Sequence, residues 1–336
     1  MKKTTLLVLT ITLFFIACKN DKKQQTENNE TKLETEKALF VNNEVNTFWK
    51  YYDETDSTKR NNLLASYALD SVNNPAVNTM FKMTLNDTTS FYNRINQYSS
   101  YYKSIQNQSL EMANKQYPKM DAYYKEFKKM YSKAHRPKII FTVGALTVGG
   151  TVTDEGLVIG TELYGKESGD TTGMGRMAKF LLTPENFIPL TFHEHMHYEQ
   201  LKNFGGKENF HKNVQSNPTL LGVSLNEGAA DFVSNLITGW NNDKPNYIYG
   251  NKNEAALWEK FKSEMDSAET IQNWMYDYRV EKETPPDLGY FMGAKICESY
   301  YNNATDKEKA IEDILSIDDP KGFLEKSKYR EKFAEK

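Results

Sequence analysis

Residues His193-Glu194-His195-Met196-His197 leave this chain fewer architectural options than any other stretch. The pattern is H-E-x-x-H, and Pro189 four residues upstream is a suitable helix start. On a helix, positions i and i+4 share a face one turn apart, so His193 and His197 can present ring nitrogens to one metal ion. Glu194 projects beside them, close enough to act on water at the ion without binding the ion itself. Zinc in a catalytic role needs a third protein ligand and an open fourth position. Leu225-Asn226-Glu227-Gly228-Ala229-Ala230-Asp231-Phe232 reads as a second helix and supplies a candidate in Glu227. Asp231 lies one turn further on the same face, where a carboxylate can accept the free N–H of a ligand histidine and fix its tautomer. Gly228, Ala229 and Ala230 carry almost no side chain, so this helix can pack tightly against the first. His195 points about 100° per residue away from both ligand histidines and is not expected to bind the ion. His135 and His211 have no matching spacing and read as structural or exposed.

Composition narrows the surroundings of that site. The 336 residues include 42 Lys and Arg against 45 Asp and Glu, a net charge of −3, so no basic footprint for nucleic acid exists. Hydrophobic residues at 39% and charged residues at 26% suit a chain that buries a core. Of the two cysteines, Cys297 reads as a buried small hydrophobe, and no structural disulfide is expected. Lys2 and Lys3 precede an apolar run from Leu6 to Ala17 that is too short to span a bilayer but suits a signal peptide. It ends at Ile16-Ala17-Cys18, which resembles a bacterial lipobox with Phe15 where Leu is usual. Residues 1–17 are therefore expected to be a lipoprotein signal peptide, with Cys18 as the lipidated first residue rather than an incidental one. Acyl chains on Cys18 would tie the protein to a membrane while the folded part stays in water. Residues 18–37 are polar and read as a flexible tether.

Residues 38–135 carry helical pattern almost throughout, as in Val41, Val45, Phe48, Trp49 and Tyr52. At Arg136-Pro137 the texture changes. Lys138 to Val143, Gly149 to Thr153 and Leu157 to Thr161 are short β-type runs around the turn Asp154-Glu155-Gly156, and they suggest a small antiparallel sheet ahead of the H-E-x-x-H helix. The run Leu157 to Thr161 is expected to be an edge able to pair with an extended peptide, with Glu162 at its end a supporting or structural acid. Helical pattern returns after Thr183-Pro184 and continues to the end. The expectation is an α+β, mainly α-helical protein.

Several segments together resemble a known family. They are Gly149-Gly150-Thr151 with Gly156 to Glu162, then His193 to His197, Leu220-Leu221-Gly222 with Glu227 to Phe232, and Leu288-Gly289-Tyr290-Phe291-Met292-Gly293 with Ser299-Tyr300-Tyr301. The tail from Ile314 to Asp319 and Phe323 to Ser327 is also similar. The pattern resembles the zinc-dependent protease family that includes gliding-motility-associated lipoproteins of Bacteroidota. That resemblance implies a zincin-like metallopeptidase fold of the glutamate-ligand type, with a catalytic core over 136–240 and a helical C-terminal region over 241–336. It also implies a zinc ion on His193, His197 and Glu227, with Glu194 as general base. Tyr290, placed by the resemblance in a short motif after Pro286, is the candidate oxyanion donor. The function so implied is a lipid-anchored zinc metallopeptidase of the cell envelope acting on a peptide or protein substrate. The alternative is a non-enzymatic envelope lipoprotein that keeps the zinc scaffold and binds other envelope proteins. A zinc amidase acting on cell-wall peptide would use the same ligands.

Overall fold

Helix starts along this chain are set by short polar side chains. Asp56, Asp87, Thr219, Asp306 and Asp319 each accept a hydrogen bond from the backbone N–H three residues on, an amide that a first helical turn leaves unpaired. The computed structural model describes residues 39–85, 87–240, 244–276 and 284–333. The signal peptide, Cys18 and the whole of the tether lie outside the described residues. Strand β1 (Phe40–Val41) leads into α1 (Asn43–Tyr52), α2 (Ser57–Leu69), α3 (Pro75–Thr84), α4 (Thr88–Gln97) and the long α5 (Ser99–Met130). Strands β2 (Lys138–Thr142), β3 (Gly150–Thr153) and β4 (Gly156–Gly160) follow. After short 3-10 turns come α6 (Phe187–Asn203), α7 (Lys207–Ser216), α8 (Leu220–Thr238), α9 (Pro245–Glu264) and α10 (Ile271–Trp274). The chain closes with α11 (Leu288–Asn303), α12 (Lys307–Ile314) and α13 (Pro320–Ser327). The protein is α+β and mainly helical.

The sheet departs from the sequence expectation in two ways. It is a mixed four-stranded sheet of order β1-β2-β4-β3, in which only the β3–β4 pair is antiparallel. The chain leaving β2 crosses to the far edge before returning, so β4 slots in beside β2 and runs parallel to it. For the same reason Leu157 to Gly160 is not an edge. All five residues of β4 are buried, and β3 is the outer strand on that side. Alternation then sorts the two faces. Leu157 and Ile159 join Ile139 and Phe141 in the main core, while Val158 and Ile140 meet Ala76 and Met80 of α3 on the other face.

Helix α6 lies against the first of these faces. Phe187 stacks on Phe141 with ring centroids 5.8 Å apart. The helix begins two residues before Pro189, which therefore sits in the first turn, where its missing N–H leaves no bond unmade. The same core continues from Val45 through Phe192 and Leu225 to Cys297 and Tyr329, so the helices on either side of the sheet in sequence share it.

Glu162 lies at the end of β4, and no charge among the described residues figures in its electrostatics. Its carboxylate is buried between Gly144 and Gly160, where a Cβ would come within 2.8 and 2.9 Å of its oxygens. The backbone N–H groups of Gly144, Leu146 and Glu162 itself face it, but none reaches full hydrogen-bond geometry. Burial accordingly pushes its pKa up from 4.5 to about 7. A carboxyl raised in the folded state holds its proton there longer than in the unfolded chain. Its favourable contribution is complete below about pH 4.5 and is lost as the pH rises through 7. Glu162→Gln should therefore gain stability over the parent between these limits, by up to about 3 kcal/mol above pH 7. Urea unfolding at pH 5 and pH 8 reads the difference, and an equal gap at both values would refute it.

Candidate metal centre

Two helices bring the site together. Helix α6 carries His193, Glu194 and His197. Helix α8, started by the Thr219 cap and stopped by Gly239 in the left-handed region, carries Glu227 and Asp231. His193 Nε2 and His197 Nε2 lie 3.1 Å apart, and Glu227 Oε2 is 3.4 and 3.2 Å from them. Ligand bonds of about 2.0–2.1 Å at tetrahedral angles separate neighbouring donor atoms by about 3.3 Å. The observed triangle has that size, and these three are the one such His, Cys, Asp or Glu group found among the described residues.

The hydrogen bonds behind the triangle settle which atoms are free to bind. His193 Nδ1 donates to Asp231 Oδ1 at 2.9 Å. His197 Nδ1 donates to Gln200 Oε1 at 2.7 Å, and Gln200 Nε2 donates in turn to the Asn226 carbonyl at 2.9 Å, which fixes the amide's orientation. With both Nδ1 atoms protonated, a neutral imidazole turns a bare lone pair inward from Nε2. Two such lone pairs and a carboxylate oxygen then converge with no donor among them. That arrangement draws in positive charge, whether a proton on an imidazole or a metal ion.

The local electrostatics agree. Burial works against charge on His193, but the Asp231 and Glu227 carboxylates outweigh it and lift its pKa to about 10. His197 is raised by the same contest between burial and Glu227. Burial likewise opposes ionisation of Glu227 and Asp231, and is overcome by the imidazoles at Glu227 and by Lys244 and His193 at Asp231. Both carboxyls stay below the usual carboxylate range. The cavity favours positive charge, whether carried by protons or by a metal ion.

Glu194 stands next to this triangle and lies against the outer strand β3. A Cβ on Gly150 would come 2.9 Å from Glu194 Cγ, so only glycine there lets the carboxylate pass the sheet edge. Burial raises the Glu194 carboxyl above its usual range; the two imidazoles pull it down and Glu227 pushes it up. His195 is buried and turns away, with Nε2 2.8 Å from the His135 carbonyl and 3.2 Å from Glu199 Oε1. His135 meets the same buried Glu199 through Nδ1 at 2.9 Å. His211 is exposed. Tyr290 places its ring 6.1 Å from that of His193. Gly228 packs on α11, against Gly293 and Ala294.

Four neighbours escaped the sequence reading. Gln200 sits three residues after His197 on the same helix, a spacing that could have revealed it. Lys244 Nζ is 3.1 Å from Asp231 Oδ1 and Tyr247 donates to Asp231 Oδ2 at 3.1 Å. Tyr276 places its hydroxyl 3.3 Å from Glu227 Oε1. Lys244 and Tyr247 come from the start of α9 and Tyr276 from beyond α10, with no local signature.

A family model described as Gliding motility protein GldB matches residues 21–331. The chain belongs to this lipoprotein family. No curated protein and no solved structure matches it. Family membership agrees with the envelope lipoprotein half of the sequence resemblance. Among the described residues, no helix is long and apolar enough to cross a membrane.

Proposed function

We propose that this member of the gliding-motility lipoprotein family is a zinc metallopeptidase held to the cell envelope by lipid on Cys18. The observation that carries the reading is the close triangle of His193, His197 and Glu227 ligand atoms with the carboxylate of Glu194 beside it. His193, His197 and Glu227 would hold a zinc ion, which when bound would supply Lewis acidity towards water and a peptide carbonyl. Asp231 and Gln200 keep both imidazoles in the tautomer that binds. Glu194 takes a proton from the attacking water and delivers it to the leaving amine, work for which a raised carboxyl pKa is suited. The outer strand β3 runs past Glu194 and offers its free edge to an extended substrate. Tyr290, close to His193, is the candidate donor to the developing oxyanion.

A second reading has one observation in its favour. The His193, His197 and Glu227 side chains are only 16%, 12% and 14% exposed, which also suits an ion that stabilises an envelope scaffold and never meets substrate. Glu194→Gln separates the two. In the peptidase reading it keeps the zinc and loses cleavage of a peptide library by about 100-fold or more. Equal, chelator-insensitive cleavage by both proteins, or none by the zinc-loaded parent, rejects the peptidase reading.

A further inference from the structure

The two oxygens of Glu227 are given different partners. Oε2 faces both imidazoles, whereas Oε1 meets the hydroxyl of Tyr276 at 3.3 Å, a long hydrogen bond. Tyr276 reaches this point from the left-handed region, φ 60°, which a residue with a Cβ avoids. Its N–H donates to Asp287 Oδ1 at 2.8 Å, and Asp287 is itself left-handed at φ 61°. Asp287 is anchored in turn, its carbonyl accepting from Asn246 Nδ2 on α9 at 3.0 Å. Tyr290 abuts the Tyr276 ring edge-on, with ring centroids 6.1 Å apart.

Packing does not account for this. Tyr276 is 54% exposed, so its ring buries little, while strained backbone of this kind costs on the order of 1 kcal/mol per residue. What the arrangement secures is a donor on one oxygen of a carboxylate whose other oxygen faces the histidines. A carboxylate can bind a metal through one oxygen or two, and the second mode fills the position that catalysis needs open.

We propose that Tyr276 is a positioning residue whose hydroxyl engages Oε1 of Glu227, so that Glu227 meets the metal through Oε2 alone and a fourth coordination position stays vacant. The inference rests on the metal-centre reading above and adds the coordination mode to it. Cobalt(II) in place of zinc reports that mode directly, because four-coordinate cobalt absorbs visible light far more strongly than five- or six-coordinate cobalt. The full chain loaded with cobalt should show the strong four-coordinate bands. Tyr276→Phe removes one oxygen from a half-exposed ring, and far-ultraviolet circular dichroism checks that the fold is kept. In this variant the bands should weaken severalfold at equal cobalt content, as Glu227 closes onto the ion with both oxygens. Unchanged band intensity in Tyr276→Phe overturns the inference and leaves the metal centre standing. A parent protein that takes up no cobalt overturns the metal centre, and the inference with it.

Discussion

His197→Ala is expected to emerge from dialysis against stoichiometric zinc with no bound metal, while the parent chain retains one ion per molecule. The reasoning is one of ligand count. Removing a hydrogen-bonding partner behind a ligand typically weakens a metal site by about 10–100-fold, so removing a ligand outright should cost more than about 100-fold. The loss has a second signature. Zinc that binds only the folded chain raises its thermal midpoint by mass action, and His197→Ala should no longer respond. His211→Ala is the control, since that histidine is exposed and is not one of the three residues that form the candidate ligand group. Elemental analysis and a thermal shift series with added zinc decide it. Zinc bound equally by parent and His197→Ala would remove the basis of the proposed function, as would a zinc-free parent.

How much of this was legible beforehand differs between the site and the sheet. His193, His197, Glu227 and Asp231 are set by helical spacing, and two helices with fixed periodicity leave few ways to face one another. The structure brings Glu227 Oε2 and Asp231 Oδ1 to different nitrogens of the same imidazole, 3.4 and 2.9 Å away. Lys244, Tyr247 and Tyr276 reach Asp231 and Glu227 only because the chain folds back over α8, and no local pattern announces such a contact.

The sheet failed to read for a related reason. The three β-type runs were identifiable as strands, but strand order depends on which neighbour each run buries itself against. Val158 and Ile140 pack on Ala76 and Met80 of α3, a contact between segments far apart in sequence. That second buried face makes β4 central and leaves β3 outside, beside Glu194. The two-residue strand β1 is too short to give any periodic signal, yet it supplies a parallel partner to β2. Placing β4 at the edge would put the wrong strand beside Glu194, since β3 is the outer strand there.

Gly293→Val is expected to cost about 5 kcal/mol of folding stability. Helix propensity alone argues the opposite, since replacing a mid-helix glycine with alanine gains about 1 kcal/mol. Geometry decides the sign. A Cβ at Gly293 would fall 1.8 Å from the Ser224 carbonyl oxygen, and one at Gly228 would fall 2.3 Å from the Ala294 nitrogen. Helices α8 and α11 therefore meet backbone to backbone, with no flexible side chain between them to move aside. Any substituent must push the helices apart, which opens the core around Leu225, Ala229 and Met292. Gly293→Ala gives a graded version, with a net loss of about 3 kcal/mol after the propensity gain. Glu227 immediately precedes Gly228, so the same displacement carries its carboxylate off the histidines, and zinc affinity should fall along with the urea midpoint. A Gly293→Ala protein more stable than its parent would show that propensity outweighs contact here, and that the close crossing of α8 and α11 does not hold Glu227 in place.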